Sequence, residues 1–261
     1  MHSFWATSIV VCGLVCSTAC SSTDEPSKPK ELTSATAFDL ADVKTHPTQY
    51  DFMDFKPNVQ KLILAGAPET EHIAILWYTV TDGGVALHYH AKTESVYVID
   101  GTQTDAKGSY PTGTVYFNPP GSGHQIMDSS GFFLLAYAAP PDFASTDLIG
   151  EYEPVRIDTT DPDLTLTYPF EEQQTGVKTF VAPLDSEGGL SAEFIQTKSS
   201  AASRFTGNYL LVLEGSCEIE GLSFGAGKLV VTKTVEPQPF AVAATKSSTC
   251  LALGVSFTAA E

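Results

Sequence analysis

The segment LHYHAKTESVYVIDG, Leu87 to Gly101, places two histidines two residues apart and a glutamate four residues after the second. Alternate side chains of a strand share a face, so His88 and His90 point the same way, about 7 Å apart along the chain. They converge on one ion if the strand curves. Glu94 has the same parity, or stands just past a turn on the neighbouring strand. His124 closes the segment GTVYFNPPGSGH, whose turn residues NPPGSG return the next strand to the same face. Three imidazoles and one carboxylate suit Fe(II), Mn(II), Zn(II), Ni(II) or Cu(II). With a divalent ion the set carries a net charge of about +1, which attracts water, hydroxide or an anionic substrate oxygen.

The elements that must position these residues read as strands. HIAILWYTV (His72 to Val80), SVYVID (Ser95 to Asp100), TVYF (Thr114 to Phe117) and FFLLAYA (Phe132 to Ala138) are rich in β-branched and aromatic residues. TDGG, NPPGSG and DSSG separate them. The pattern predicts antiparallel strands in a sandwich or barrel. One short helix is expected within Thr33 to Thr45, capped by Ser34 or a nearby threonine.

The chain repeats itself. ESVYVIDG (Glu94 to Gly101) matches NYLLVLEG (Asn208 to Gly215), and VQKLILAG (Val59 to Gly66) and VKTFVAPL (Val177 to Leu184) hold similar places upstream. The expected division is a metal-binding domain at 38–155 and a second β domain at 156–261. At the same offset His88 corresponds to Ala202, His90 to Arg204 and Glu94 to Asn208, and no histidine follows His124, so the second half has lost the ligands. Arg204 is read as a surface or interface residue, with an anion site in an empty barrel as its alternative.

On these residues the chain resembles the cupin superfamily. His88, His90, Glu94 and Gly101 fall on the spacing of the first cupin motif, with Gly83 or Gly84 as its leading glycine. Gly113, Pro119, Gly121 and His124 fit the second motif, where Asp128 replaces the usual asparagine. The likeness is greatest to bicupins related to the zinc-binding ChrR anti-sigma domain. It implies an all-β protein of two tandem double-stranded β-helix, or jelly-roll, barrels, the second degenerate. It also implies one divalent metal ion (Fe, Mn or Zn) on His88, His90, Glu94 and His124, and a homodimer. Val98, Tyr116, Ile126 and Tyr137 are expected to line a pocket for a small organic molecule. Tyr89 points away by parity. His2 lies in the leader, and His46 and His72 have no partners at ligand spacing.

The N-terminus differs from the rest. SIVVCGLVCSTAC (Ser8 to Cys20) has the short apolar centre of a signal peptide, expected at 1–20, and the polar residues 21–37 read as a flexible spacer. The Ser17-Thr18-Ala19-Cys20 ending resembles a bacterial lipobox, with Cys20 the lipidated residue, which implies an exported periplasmic or outer-membrane lipoprotein touching the membrane only through its lipid. Cys217 and Cys250 either pair in an oxidising compartment or stay as buried thiols. Asp and Glu outnumber Lys and Arg by 31 to 14, and such a surface repels phosphate backbones, so nucleic acid is not an expected partner. Two functions fit: a metal-dependent oxygenase or related enzyme, in which Glu94 stays a ligand or swings away as a base, and a non-catalytic protein that binds or senses a small ligand at the cell envelope.

Overall fold

The structure is a computed structural model that describes residues 28–198, 201–246 and 248–258. The expected signal peptide, with Cys20 and His2, lies outside the described residues.

Two antiparallel sheets form two barrels. The first runs Val155–Asp158, Thr114–Asn118, Glu94–Asp105, Ser122–Tyr137, His72–His90, Val59–Gly66, Met53–Lys56, with Gly108–Pro111 on the flank of Glu94–Asp105. The second has Tyr209–Ile219 at its centre between Lys228–Thr232 and Thr249–Phe257, and Ala202–Gly207 pairs with Gln238–Ala244 to close it. The two repeated segments thus occupy the same central place in each sheet. Each ends on a glycine with positive φ, Gly101 at 83° and Gly215 at 74°. A Cβ on Gly101 would meet the Ser130 carbonyl oxygen at 2.0 Å. Only glycine permits both that approach and that dihedral, and this explains the closing glycine of the motif.

The strands are apolar on successive residues because both their faces are covered. Val115 and Phe117 face a core shared by the two barrels, with Ile73, Leu134, Phe194, Leu211 and Leu253. Tyr116, between them, turns into the first barrel with Val96, Val98, Phe133 and Tyr137. The long strand His72–His90 changes register between Tyr78 and Gly83, again at Val85, and again before His88. Such irregularities bend a strand and re-aim its side chains, which gives the curvature that lets two alternate histidines meet.

Three expectations change. The spacer does not extend to residue 37: Lys30–Glu31 and Ala35–Asp39 are strands, and the latter pairs with Lys228–Thr232 in the second sheet. Ala35 and Ala37 are buried there, so their small side chains fill a core position. The helix is Leu40–Thr45, capped by Asp39, whose carboxylate accepts from the Ala41 N–H at 3.1 Å. Ser34 lies too far upstream to reach that turn. The first sheet also continues past residue 155, because Val155–Asp158 pairs with Thr114–Asn118.

The second barrel is filled with hydrocarbon. Phe205 faces Phe240 in register, and Ile195, Val212, Phe224 and Val242 pack around them. Cys217 and Cys250 form a disulfide in this core. Arg204 is exposed and points away from it. Asn208 is buried as a structural amide that accepts from Phe257 N–H at 2.7 Å and donates to the Val235 carbonyl at 2.6 Å.

Candidate metal centre

His88 and His90 lie at the end of the bent strand His72–His90. Glu94 opens the next strand after a three-residue turn, the second of the two placements its spacing allowed. His124 stands directly opposite His88 in the ladder. All four side chains are buried, and one ligand atom from each lies within 4.8 Å of every other. His90 Nε2 and His124 Nε2 are 3.3 Å apart, and Glu94 Oε2 is 3.3 Å from the first and 3.4 Å from the second.

The surrounding hydrogen bonds assign the nitrogens. His124 Nδ1 is 2.9 Å from the Asp105 carboxylate, and His88 Nδ1 is 2.8 Å from the Ala86 carbonyl. Both Nδ1 atoms therefore carry protons, which leaves each Nε2 as a lone pair turned toward the cluster. Asn118 donates to Glu94 Oε2 at 2.8 Å and sets the carboxylate plane. Lone pairs converging around one anionic oxygen repel in the absence of a cation. The donor set therefore fits one metal ion, with three imidazoles and a carboxylate as ligands.

The family model of the ChrR Cupin-like domain matches residues 40–140, the stretch that contains all four ligands. The first barrel is thus similar to a cupin-like domain. A proposed dioxygenase of Nostoc punctiforme is similar in structure at 10% identity and a TM-score of 0.56, over 87% of this chain and 84% of that one. That likeness spans both barrels and concerns the fold. A Bacillus subtilis oxalate decarboxylase variant aligns at 15% identity and a TM-score of 0.48, over 89% of this chain and 79% of its own. No curated protein matches the sequence.

Electrostatics in the site follow from burial and proximity. Burial pushes His90 down to about 3 and His88 down to about 4, against the pull of Glu94. Burial would raise the Glu94 carboxyl, but the three imidazoles overcome it and hold the group well below the usual carboxylate range. His124 is raised to about 9 despite burial, because Asp105 and Glu94 both bond to it.

A cavity of about 10 Å3, room for about one water molecule, adjoins His88, Glu94 and His124 and is walled by Tyr78, Val85, Ile126 and Tyr137. Ile126 and Tyr137 thus stand at the site. Val98 and Tyr116 are buried in the same core but are not part of that wall. Tyr89 faces outward, where its backbone pairs with Asp142.

Sequence reasoning missed three contributors. Asp105 sits in the turn TDAKG, where Oδ1 accepts from Lys107 N–H at 2.7 Å and Oδ2 holds His124. Its turn position was legible, but its reach to an imidazole 19 residues away was not. Asn118 was likewise hidden in a loop motif. Lys61 is 2% exposed, with Nζ 3.3 Å from His72 Nε2 and 3.9 Å from the Phe55 ring centroid. His72, which had no partner at ligand spacing, bonds the Thr70 carbonyl through Nδ1 at 2.8 Å and offers Nε2 to that ammonium.

Asp105→Asn tests the Asp105–His124 contact. It keeps an oxygen for the turn but presents an N–H group to His124 Nδ1–H, which drives the imidazole to its other tautomer. Metal affinity is expected to fall about 10- to 100-fold, read by competition with a chromophoric chelator. Unchanged affinity would show that Asp105 serves the turn alone.

Lys61 gives a pH-dependent prediction. Burial lowers it from 10.5 to about 8, with Glu94 opposing and Lys56 reinforcing. The charged form is thus disfavoured in the folded state by about 3 kcal/mol. Below pH 8 both states are protonated and the penalty is complete; it fades between pH 8 and 10.5 as the folded protein releases its proton first. Lys61→Met is therefore expected to be more stable than the parent at pH 7. The net gain is about 1–2 kcal/mol after loss of the His72 hydrogen bond, and it disappears by about pH 10. Denaturant melts at pH 7 and 10 measure it. A less stable variant at pH 7 would mean that the ammonium is already compensated.

Proposed function

We propose that the first barrel binds one divalent transition metal through His88, His90, Glu94 and His124 and uses it in oxygenase or related chemistry on a small organic molecule. The observation that carries this reading is the pairing of a buried, convergent ligand set with two adjoining cavities. One, of about 10 Å3, touches the ligands; the other, of about 180 Å3, shares Phe55 and Pro141 with it. The first suits a species the size of water or dioxygen, and the second an organic substrate. A metal at the site supplies a Lewis acid and, when it is Fe or Mn, a redox centre. The protein's own part is to exclude water with Tyr78, Val85 and Ile126. It also fixes the imidazoles through Asp105 and Ala86 and keeps the Glu94 carboxylate ionised. The Nostoc punctiforme neighbour, itself a proposed dioxygenase, fits this reading.

The narrowness of the inner cavity favours a second reading, a closed zinc site that senses or holds a ligand without turnover. Metal analysis of anaerobically prepared protein, with dioxygen uptake measured on adding catechols, flavonoids or β-diketones, separates the two. Iron or manganese with uptake supports the enzyme. Stoichiometric zinc with no uptake supports the sensor. No metal in either preparation sinks both.

Export completes the proposal. The Cys217–Cys250 disulfide suits an oxidising compartment, and the leader pattern suits lipidation at Cys20. Mass spectrometry of the mature N-terminus tests this: an unprocessed Met1 or an unmodified Cys20 overturns the anchor. A homodimer is carried forward as part of the same proposal and is tested by sedimentation.

A further inference from the structure

The larger cavity has a buried cation in its wall. Phe55, Lys61, Pro140, Pro141 and Phe143 line it, with Asp54 as its acidic residue. Asp54 is exposed, whereas Lys61 is 2% exposed. Among the described residues no carboxylate oxygen lies within 4.0 Å of Lys61 Nζ. Of its three N–H donors one goes to His72 Nε2 at 3.3 Å. Its other close contacts are aromatic faces, Phe55 at 3.9 Å and Tyr137 at 5.1 Å, and the Glu94 carboxylate acts on it only from beyond ion-pair distance. Lys56 Nζ adds a second positive charge 3.5 Å from the Phe143 ring centroid. In a chain with a net charge of -17 this is a local inversion of sign.

A cation out of water without an anion is unfavourable, and it is retained where a ligand completes the pair. We infer that the Lys61 ammonium anchors a small organic carboxylate, whose apolar body lies between Phe55, Phe143 and the two prolines. The cavity offers a single buried point charge and hydrocarbon walls, with no arginine among its lining residues, which suits a monoanionic carboxylate better than a phosphate. It lies beside the cluster of histidines: Phe55 and Pro141 wall both cavities, and the Phe143 ring lies 5.3 Å from that of His88. Assigning this carboxylate as substrate rests on the metal-dependent reading above; the anion site itself does not.

Calorimetric titration of the full chain with benzoate and with benzamide, with bound metal quantified in the same sample, tests the inference. Benzoate is expected to bind at least tenfold more tightly than benzamide. Lys61→Met is expected to weaken benzoate at least tenfold while retaining its metal. Three results overturn the site: no benzoate binding, equal binding of the amide, or undiminished binding by Lys61→Met, which would place the anion on the metal. If the variant fails to fold, the acid–amide comparison on the parent protein decides alone. Lysine-dependent binding in protein that never holds metal would leave the anion site standing and refute the metal reading; a metal-loaded protein indifferent to benzoate does the reverse.

Discussion

His124→Ala is expected to strip most of the bound metal and to lower the melting temperature by about 10 °C. Two effects add. A ligand present at about a thousand times its dissociation constant stabilises the folded state by about 4 kcal/mol, and losing one of four donors forfeits most of that. The substitution also removes the partner of Asp105 Oδ2, which bonds His124 Nδ1 at 2.9 Å, while Oδ1 keeps its turn hydrogen bonds; one buried oxygen left without a donor costs about 1–3 kcal/mol more. At about 2–4 °C per kcal/mol for a chain of this size, the combined loss is large. Asn208→Ala is the control. It removes two buried hydrogen bonds in the other barrel, so stability should fall by about 1–3 kcal/mol with metal content unchanged. Elemental analysis and thermal melts of the two variants report both quantities. Metal retained in His124→Ala, or lost equally from both, would remove the single-site assignment.

Opening the Cys217–Cys250 bridge is expected to destabilise the protein by about 3–4 kcal/mol. The bridge spans 33 residues, and closing a loop of that length in the unfolded chain accounts for a loss of this size. Both sulfurs are buried beside Phe205, Phe240 and Val242, so a reductant reaches them only through opening of the barrel. The double variant Cys217→Ala/Cys250→Ala therefore gives the cleaner measurement. Its denaturation midpoint should shift while its metal content does not, because the site and the bridge lie in different barrels. A midpoint unmoved in the variant would show that packing alone holds the second barrel.

The ligand set was legible because strand geometry is periodic. Two residues apart means one face, and glycines at Gly101 and Gly121 mark turns whose positive φ no side chain adopts easily. The decay of the second site was legible from Ala202 and Asn208, though the register was not. The constant offset set Arg204 against His90, whereas the structure turns Arg204 outward and puts Phe205 opposite Phe240 inside. A spacing one residue shorter before Asn208 reverses which side chains face in.

The sequence by itself determined the all-β class, the two repeats, four residues able to share a metal, and a second half unable to. These depend on local spacing and residue type. Only the tertiary structure decided that Asp105 and Asn118 orient the ligands, that Lys61 is a buried cation beside the site, and that Ala35–Asp39 completes the second sheet. It also decided that Cys217 and Cys250 pair. Each of these is a contact between residues distant in the chain, set by how two twisted sheets bend and pack, and no local periodicity encodes it.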